Sequence, residues 1–136
     1  MVTYMHSPSA GGIVIHEGKV LLITSDLRHS VDFPKGAIEF RESIEDAAIR
    51  EVQEETGYDV TITKDVGSIT YDIVTENGDK YRKTVSYFLM KLKNDITPKQ
   101  SLQPGEDYVV SWVPIDDVAA MLTYDNVKQL FLFAIL

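Results

Sequence analysis

The sequence predicts an α/β domain, with a mixed β-sheet held between helices. Three observations carry this. Short runs rich in Val, Ile and Leu interleave with segments of helical spacing along the chain. Two turn signals, Glu17-Gly18 and Asn77-Gly78, separate strand-like runs as hairpin turns do. Finally, 44% of the 136 residues are apolar, enough for a real core in one domain spanning 1–136.

The elements follow in order. Ala10 to His16 (AGGIVIH) reads as a strand, and Lys19 to Thr24 (KVLLIT) as its hairpin partner. Ser25 to Lys35 reads as a polar loop ending around Pro34. Ser43 to Thr56 is the clearest helix: Ala47, Ala48, Ile49 and Val52 give it an apolar side, and Gly57 is a good left-handed stop. Asp59 to Ile62 reads as a short strand. Gly67 to Val74 and Lys83 to Leu92 read as longer strands joined through Asn77-Gly78, and Tyr108 to Val113 as another. Pro114 and Asp116 open a short helix to Leu122. Tyr124 to Leu136 carries Val127, Leu130, Phe131 and Ala134 at helical spacing.

Composition excludes several kinds of chemistry. There is no cysteine, which removes disulfides, thiol nucleophiles and Cys-ligated zinc, and fits a cytoplasmic setting. Met1 to Ala10 lacks a basic stretch followed by an apolar one, so no signal peptide is expected. Leu130 to Leu136 is far too short to span a membrane. A formal net charge of −8 argues against duplex nucleic acid as a partner, because phosphate binding draws on Lys and Arg. A small polyphosphate is still allowed, since a divalent cation inverts the field of an acidic site. Gly11-Gly12 is neither a Walker loop nor a GxGxxG turn, and His6, His16 and His29 lack metal-ligand spacing. The assembly expected is a monomer or a homodimer.

The informative cluster is Glu51, Glu54 and Glu55, three and four residues apart and therefore on one helical face. A solvated acidic face is the plain reading. Three local rules oppose it. No Lys lies within a turn, two of the glutamates crowd the negative end of the helix dipole, and Arg50 can offset only part of the charge, pairing with Glu54 at i+4. A hard divalent cation reverses the sign of each of these terms by taking carboxylate oxygens as ligands.

The wider spacing is more specific. Gly36 is followed by Glu42 and then by Arg50-Glu51-Val52-Gln53-Glu54-Glu55-Thr56-Gly57-Tyr58. This resembles the Nudix box, G-x5-E-x7-R-E-U-x-E-E-x-G-U, over residues 36–58. Its seven fixed positions all match; at about 7% background frequency each, a chance match is on the order of one in a million. Tyr58 replaces a bulky aliphatic residue. The order of strands and helices on either side is also similar to the Nudix pattern, which implies an α/β/α sandwich.

The resemblance implies a MutT-like hydrolase that uses Mg²⁺, with Mn²⁺ as a substitute, to cleave a phosphoanhydride in a small nucleotide. It implies Glu51 and Glu55 as principal metal ligands, Glu54 as a third ligand or water-activating group, and the Gly36 carbonyl as a further ligand. Glu39 is a lesser ligand candidate. Arg50 is implied to orient a box glutamate, and Glu42 to brace the loop. The family often has Pro-Gly where this chain has Phe40-Arg41, so the loop is expected to bend differently. Arg41 reads as a surface charge or as a phosphate contact. The catalytic base varies among Nudix enzymes; Glu106, in Pro104-Gly105-Glu106, is the candidate outside the box, against an ordinary turn acid.

Phe33-Pro34-Lys35-Gly36 is similar to the branch that cleaves dinucleoside polyphosphates such as diadenosine tetraphosphate, and so are Lys83 to Met90 and Ser111 to Pro114. Carried over, Lys35 and Lys83 would contact the polyphosphate, and Tyr71 and Tyr124 would stack on the base. The alternatives are surface lysines and tyrosines at the edge of the core. The branch often has a Trp four residues before that Lys; here it is Val31, which bears on base recognition. Trp112 reads as a core residue. Competing readings are hydrolysis of a nucleoside triphosphate, of ADP-ribose or of an RNA 5′ end, and a non-catalytic nucleotide sensor.

Overall fold

A computed structural model describes residues 3–94 and 98–136. Met1 and Val2 of the stretch read for a leader lie outside the described residues. Strands are β1 Met5–His16, β2 Lys19–Ser25, β3 Ser30–Asp32, β4 Lys35–Ala37, β5 Val60–Val74, β6 Lys80–Leu92 and β7 Val109–Pro114. Helices are α1 Ile44–Thr56, α2 Ile115–Met121 and α3 Asp125–Ala134.

The sheet runs β3-β2-β1-β6-β5, with β4 pairing β1 and β7 pairing β2. It is mixed as expected: β1 lies parallel to β6 from Met5↔Tyr81 to Val14↔Met90, and the other pairs are antiparallel. Alternate side chains enter two separate cores, as a pleated strand dictates. Ile13, Val20, Leu22, Val85 and Tyr87 pack with Val118 and Leu122 at the end of α2, and with Val127 and Phe131 of α3. Val14, Leu21, Phe88 and Met90 pack with Ala47, Ala48 and Val52 of α1. Burial on both faces explains why β1 and β2 read as continuous apolar runs rather than alternating ones.

Helix α1 begins where the sequence says it should. The Ser43 hydroxyl accepts the Asp46 N–H at 3.0 Å, and Gly57 closes the helix at φ 84°. Two expectations fail. The polar loop from Ser25 to Lys35 contains β3 and reaches the start of β4, because its backbone finds β2 and β1 as partners. Asp59–Ile62 and Gly67–Val74 are not separate strands; β5 runs through with register shifts at Ile62/Lys64 and Asp65/Gly67. Bulges absorb the extra residues, which periodicity alone cannot distinguish from a loop.

Candidate active site

Arg50 projects from α1 into a ring of acceptors. Its Nε donates to Glu42 Oε2 at 2.7 Å and Nη2 to Glu42 Oε1 at 2.9 Å, a bidentate pair. Nη1 donates to Glu51 Oε1 at 2.8 Å and Glu54 Oε2 at 3.1 Å, and Nη2 also donates to the Ala37 carbonyl at 2.9 Å. All five guanidinium donors are therefore used. Glu39 adds a weaker ion pair at 3.7 Å. The charge offset on this face is larger than the single Glu54 pair that helical spacing suggests; Glu42 reaches Arg50 because the loop before α1 folds back. One cation still faces four carboxylates. The bidentate bond from Arg50 holds the Glu42 carboxyl down at about 2.

One turn further on, the electrostatics change sign. Glu55 is buried, and its Oε1 accepts the Lys35 N–H at 3.1 Å. Burial pushes its carboxyl up to about 9; the Lys35 N–H pulls it back, while the charges of Glu51 and Glu106 add to the rise. Burial also raises Glu51, against the hydrogen bond from Arg50, with Glu54 and Glu106 adding to the rise. Glu106 thus acts on both box carboxylates from its own loop, where its Oε1 accepts the Gln103 N–H at 2.7 Å. It serves as a turn acid and as a neighbour of the site.

The donor set suits a hard divalent cation, being all carboxylate and carbonyl oxygen. Gly36 fits this purpose by close approach: a Cβ there would collide with the Glu51 carboxyl, so only glycine brings the β4 backbone against it. Among the described residues no three side chains converge on one point as a preformed metal shell. Glu51 and Glu54 are turned to Arg50 instead.

The loop into α1 closes as a tight turn. Glu42 N–H donates to the Glu39 carbonyl at 3.0 Å, closing a turn over Phe40 and Arg41. Arg41 sits at φ 64°, the left-handed conformation that a type II turn requires at its third position. Phe40-Arg41 thus holds the shape that Pro-Gly would adopt most readily, at the cost of backbone strain in Arg41. Arg41 packs its guanidinium 5.2 Å from the centre of the exposed Phe40 ring.

Beside the carboxylates lies a cavity of about 460 Å³. Lys35, Lys83, Tyr71 and Tyr124 all line it, so the four residues singled out from sequence come together. Tyr71 and Lys83 are cross-strand partners and share a face; Tyr124 is brought in by Thr123, whose hydroxyl accepts the Val31 N–H at 2.8 Å. Val31 makes that contact through its backbone, while its side chain packs against the core. Trp112 is partly buried and packs against the core, with Nε1 donating to the Tyr58 hydroxyl at 3.0 Å. The sequence did not single out Asp32, Arg28 or Tyr108, which also line the cavity. Arg28 donates to the Tyr108 hydroxyl at 2.6 Å. The only hint at Asp32 was its place between two apolar residues, Val31 and Phe33.

The family model described as the NUDIX domain matches residues 5–133. The chain is 35% identical over 136 residues to a protein named "Putative mutator protein MutT4" from Mycobacterium tuberculosis, covering 93% of this chain and 53% of that one. It is 30% identical over 117 residues to "Nudix hydrolase 18, mitochondrial" from Arabidopsis thaliana, covering 85% and 62%. The chain thus spans little more than half the length of these curated relatives. A NUDIX hydrolase from Nitrosomonas europaea superimposes with a TM-score of 0.74 at 25% identity, covering 94% of this chain and 87% of that one. An Ap4A hydrolase from C. elegans does so with a TM-score of 0.69 at 25% identity, covering 96% of both. Among the described residues no helix is long and apolar enough to cross a membrane.

Proposed function

The chain belongs to the Nudix family, and from that premise we propose that it hydrolyses a phosphoanhydride bond in a nucleotide, most suitably a dinucleoside polyphosphate such as diadenosine tetraphosphate. One observation carries the reading. Lys35 touches both halves of the site, its N–H bonded to Glu55 and its side chain lining the cavity with Lys83, Tyr71 and Tyr124. A substrate with its base between the tyrosines would have its phosphates led past two cations toward the carboxylates.

Glu51, Glu55 and the Gly36 carbonyl would hold Mg²⁺ or Mn²⁺, with Glu54 as a further ligand. When bound, the cation supplies charge neutralisation on the phosphate oxygens and a template for in-line attack. Water joins phosphorus, the bridging P–O bond breaks, and the leaving phosphate departs with the bridging oxygen. Glu106 would take the proton of the attacking water, with Glu54 as the alternative base. Arg50 is a positioning residue, because every donor it has is engaged by the protein. Glu42 braces it.

A second reading, hydrolysis of a nucleoside triphosphate, is favoured by the cavity's volume, which suits a single nucleoside. A substrate panel with Mg²⁺ separates the two. ATP plus AMP from diadenosine tetraphosphate is the expected result. Monophosphate plus pyrophosphate from a triphosphate alone would favour the second reading. Binding of nucleotides without turnover would overturn both in favour of a sensor.

A further inference from the structure

We infer that Asp32 is the specificity-determining residue of the cavity, accepting a hydrogen bond from the exocyclic amine of a purine base. The inference rests on the nucleotide reading above and deepens it. Asp32 ends β3 and is only 7% exposed, yet its carboxyl lines the cavity with both tyrosines. Oδ1 accepts the Phe33 N–H at 2.7 Å. Among the described residues Oδ2 meets only the Lys35 ammonium, at 4.0 Å, beyond hydrogen-bond range. Asp32 lines the cavity with Oδ2 accessible and short of a donor, and a carboxylate can only accept. Burial raises its carboxyl, against the charge of Lys35 and the Phe33 N–H.

A second unpaired group lies at the same corner. The Tyr87 hydroxyl is buried and has no hydrogen-bond partner among the described residues. Burial raises it first, and then the charges of Asp32 and Tyr71, so it sits close to both.

The chemistry of the missing donor can be narrowed. A phosphate is excluded, since two anions repel at short range. What remains is a donor on the base or on the ribose. Tyr71 and Tyr124 offer faces for an aromatic ring, and a ring held there presents its polar edge to the wall. An exocyclic amine, on adenine or on guanine, supplies the donor that Oδ2 lacks. The lysines remain for the phosphates.

The test is calorimetric binding of nucleoside 5′-monophosphates with Mg²⁺, which needs no turnover. The ligands are AMP, purine riboside 5′-monophosphate, GMP, IMP and 2′-deoxy-AMP. Removing the amine is expected to raise Kd about tenfold, from AMP to purine riboside monophosphate or from GMP to IMP; the larger of the two ratios identifies the base. Asp32→Asn keeps an oxygen for the Phe33 N–H and turns the other end into a donor. It should bring that ratio close to one. A uniform loss across all ligands in Asp32→Asn would overturn the inference and assign Asp32 to holding Lys35. Loss on 2′-deoxy-AMP with no effect of the amine would move Asp32 to the ribose and also overturn it. Equal binding of all five by the parent chain overturns it without any variant, while the nucleotide reading stands. Binding of none removes the nucleotide reading itself.

Discussion

Glu42 lies just before α1 and Glu55 in its last turn, yet their surroundings are opposite. Glu42 meets the full fork of Arg50 and stays ionised down to about pH 2. Glu55 has one backbone N–H, lies buried, and is pushed up to about 9. The first carboxylate has its charge answered within the chain and holds the loop to α1. The second has a charge that Lys35 answers only in part, which is the condition a bound cation would relieve. A stable corner and a costly one lie side by side, and Glu51 belongs to both, bonded to Arg50 and packed on Gly36.

Glu55→Gln tests the contrast hardest. It retains an oxygen for the Lys35 N–H and removes the charge. The expected loss in kcat/KM is about a thousandfold, in the range seen when one electrostatic group is removed from an active site. In EDTA the same variant should unfold at a higher temperature than the parent. The sign follows from linkage: a carboxyl whose folded pKa is raised destabilises the fold as pH climbs from its unfolded value near 4.5 toward 9. The gap in Tm should therefore widen from pH 5 to pH 9. A lower Tm for the variant throughout would mean that the Glu55 charge is already answered by the protein.

Arg50→Lys tests the stable corner. A lysine has three donors on a point charge and cannot span Glu42, Glu51, Glu54 and the Ala37 carbonyl together. A loss of about 2 to 3 kcal/mol in denaturant unfolding is expected. Full stability in Arg50→Lys would show that the network is not a brace. Glu42→Gln gives a smaller effect with a clear pH signature. Because the Glu42 pKa is lowered on folding, its contribution is present above about pH 4.5 and fades as the pH falls toward 2. The variant should lose a few degrees of Tm at pH 6 and converge on the parent near pH 2. Parallel curves would contradict the pairing.

Arg41→Gly has the smallest expected effect and separates the loop from the chemistry. Relieving a left-handed non-glycine residue should add about 1 kcal/mol, raising Tm by roughly 2 to 4 °C. Turnover should be unchanged, since the turn over residues 39–42 keeps its shape. A fall in kcat/KM would give Arg41 a role with the substrate.

Much of the fold and the site is legible along the chain because it depends on local geometry. Residues three and four apart share a helical face whatever surrounds them, so spacing alone groups Glu51, Glu54 and Glu55. The Ser43 cap, the Gly57 stop and the Glu17-Gly18 turn are likewise set by single residues and their neighbours. The alternation of apolar residues could not show where β5 bulges, nor that residues 30–37 would find partner strands. Those outcomes depend on chain segments distant in sequence.

Patterns along the chain were enough for the fold class, the family and the spacing of the carboxylates. Long-range packing set which carboxylate Arg50 answers, which is buried with only a partial answer, and that Asp32 lines the cavity with two tyrosines. The physical reason is that a charge's free energy is set by the dielectric and the partners around it. Those come from β1, β3, β4 and β6 meeting α1 and α3 in space, which no local pattern encodes.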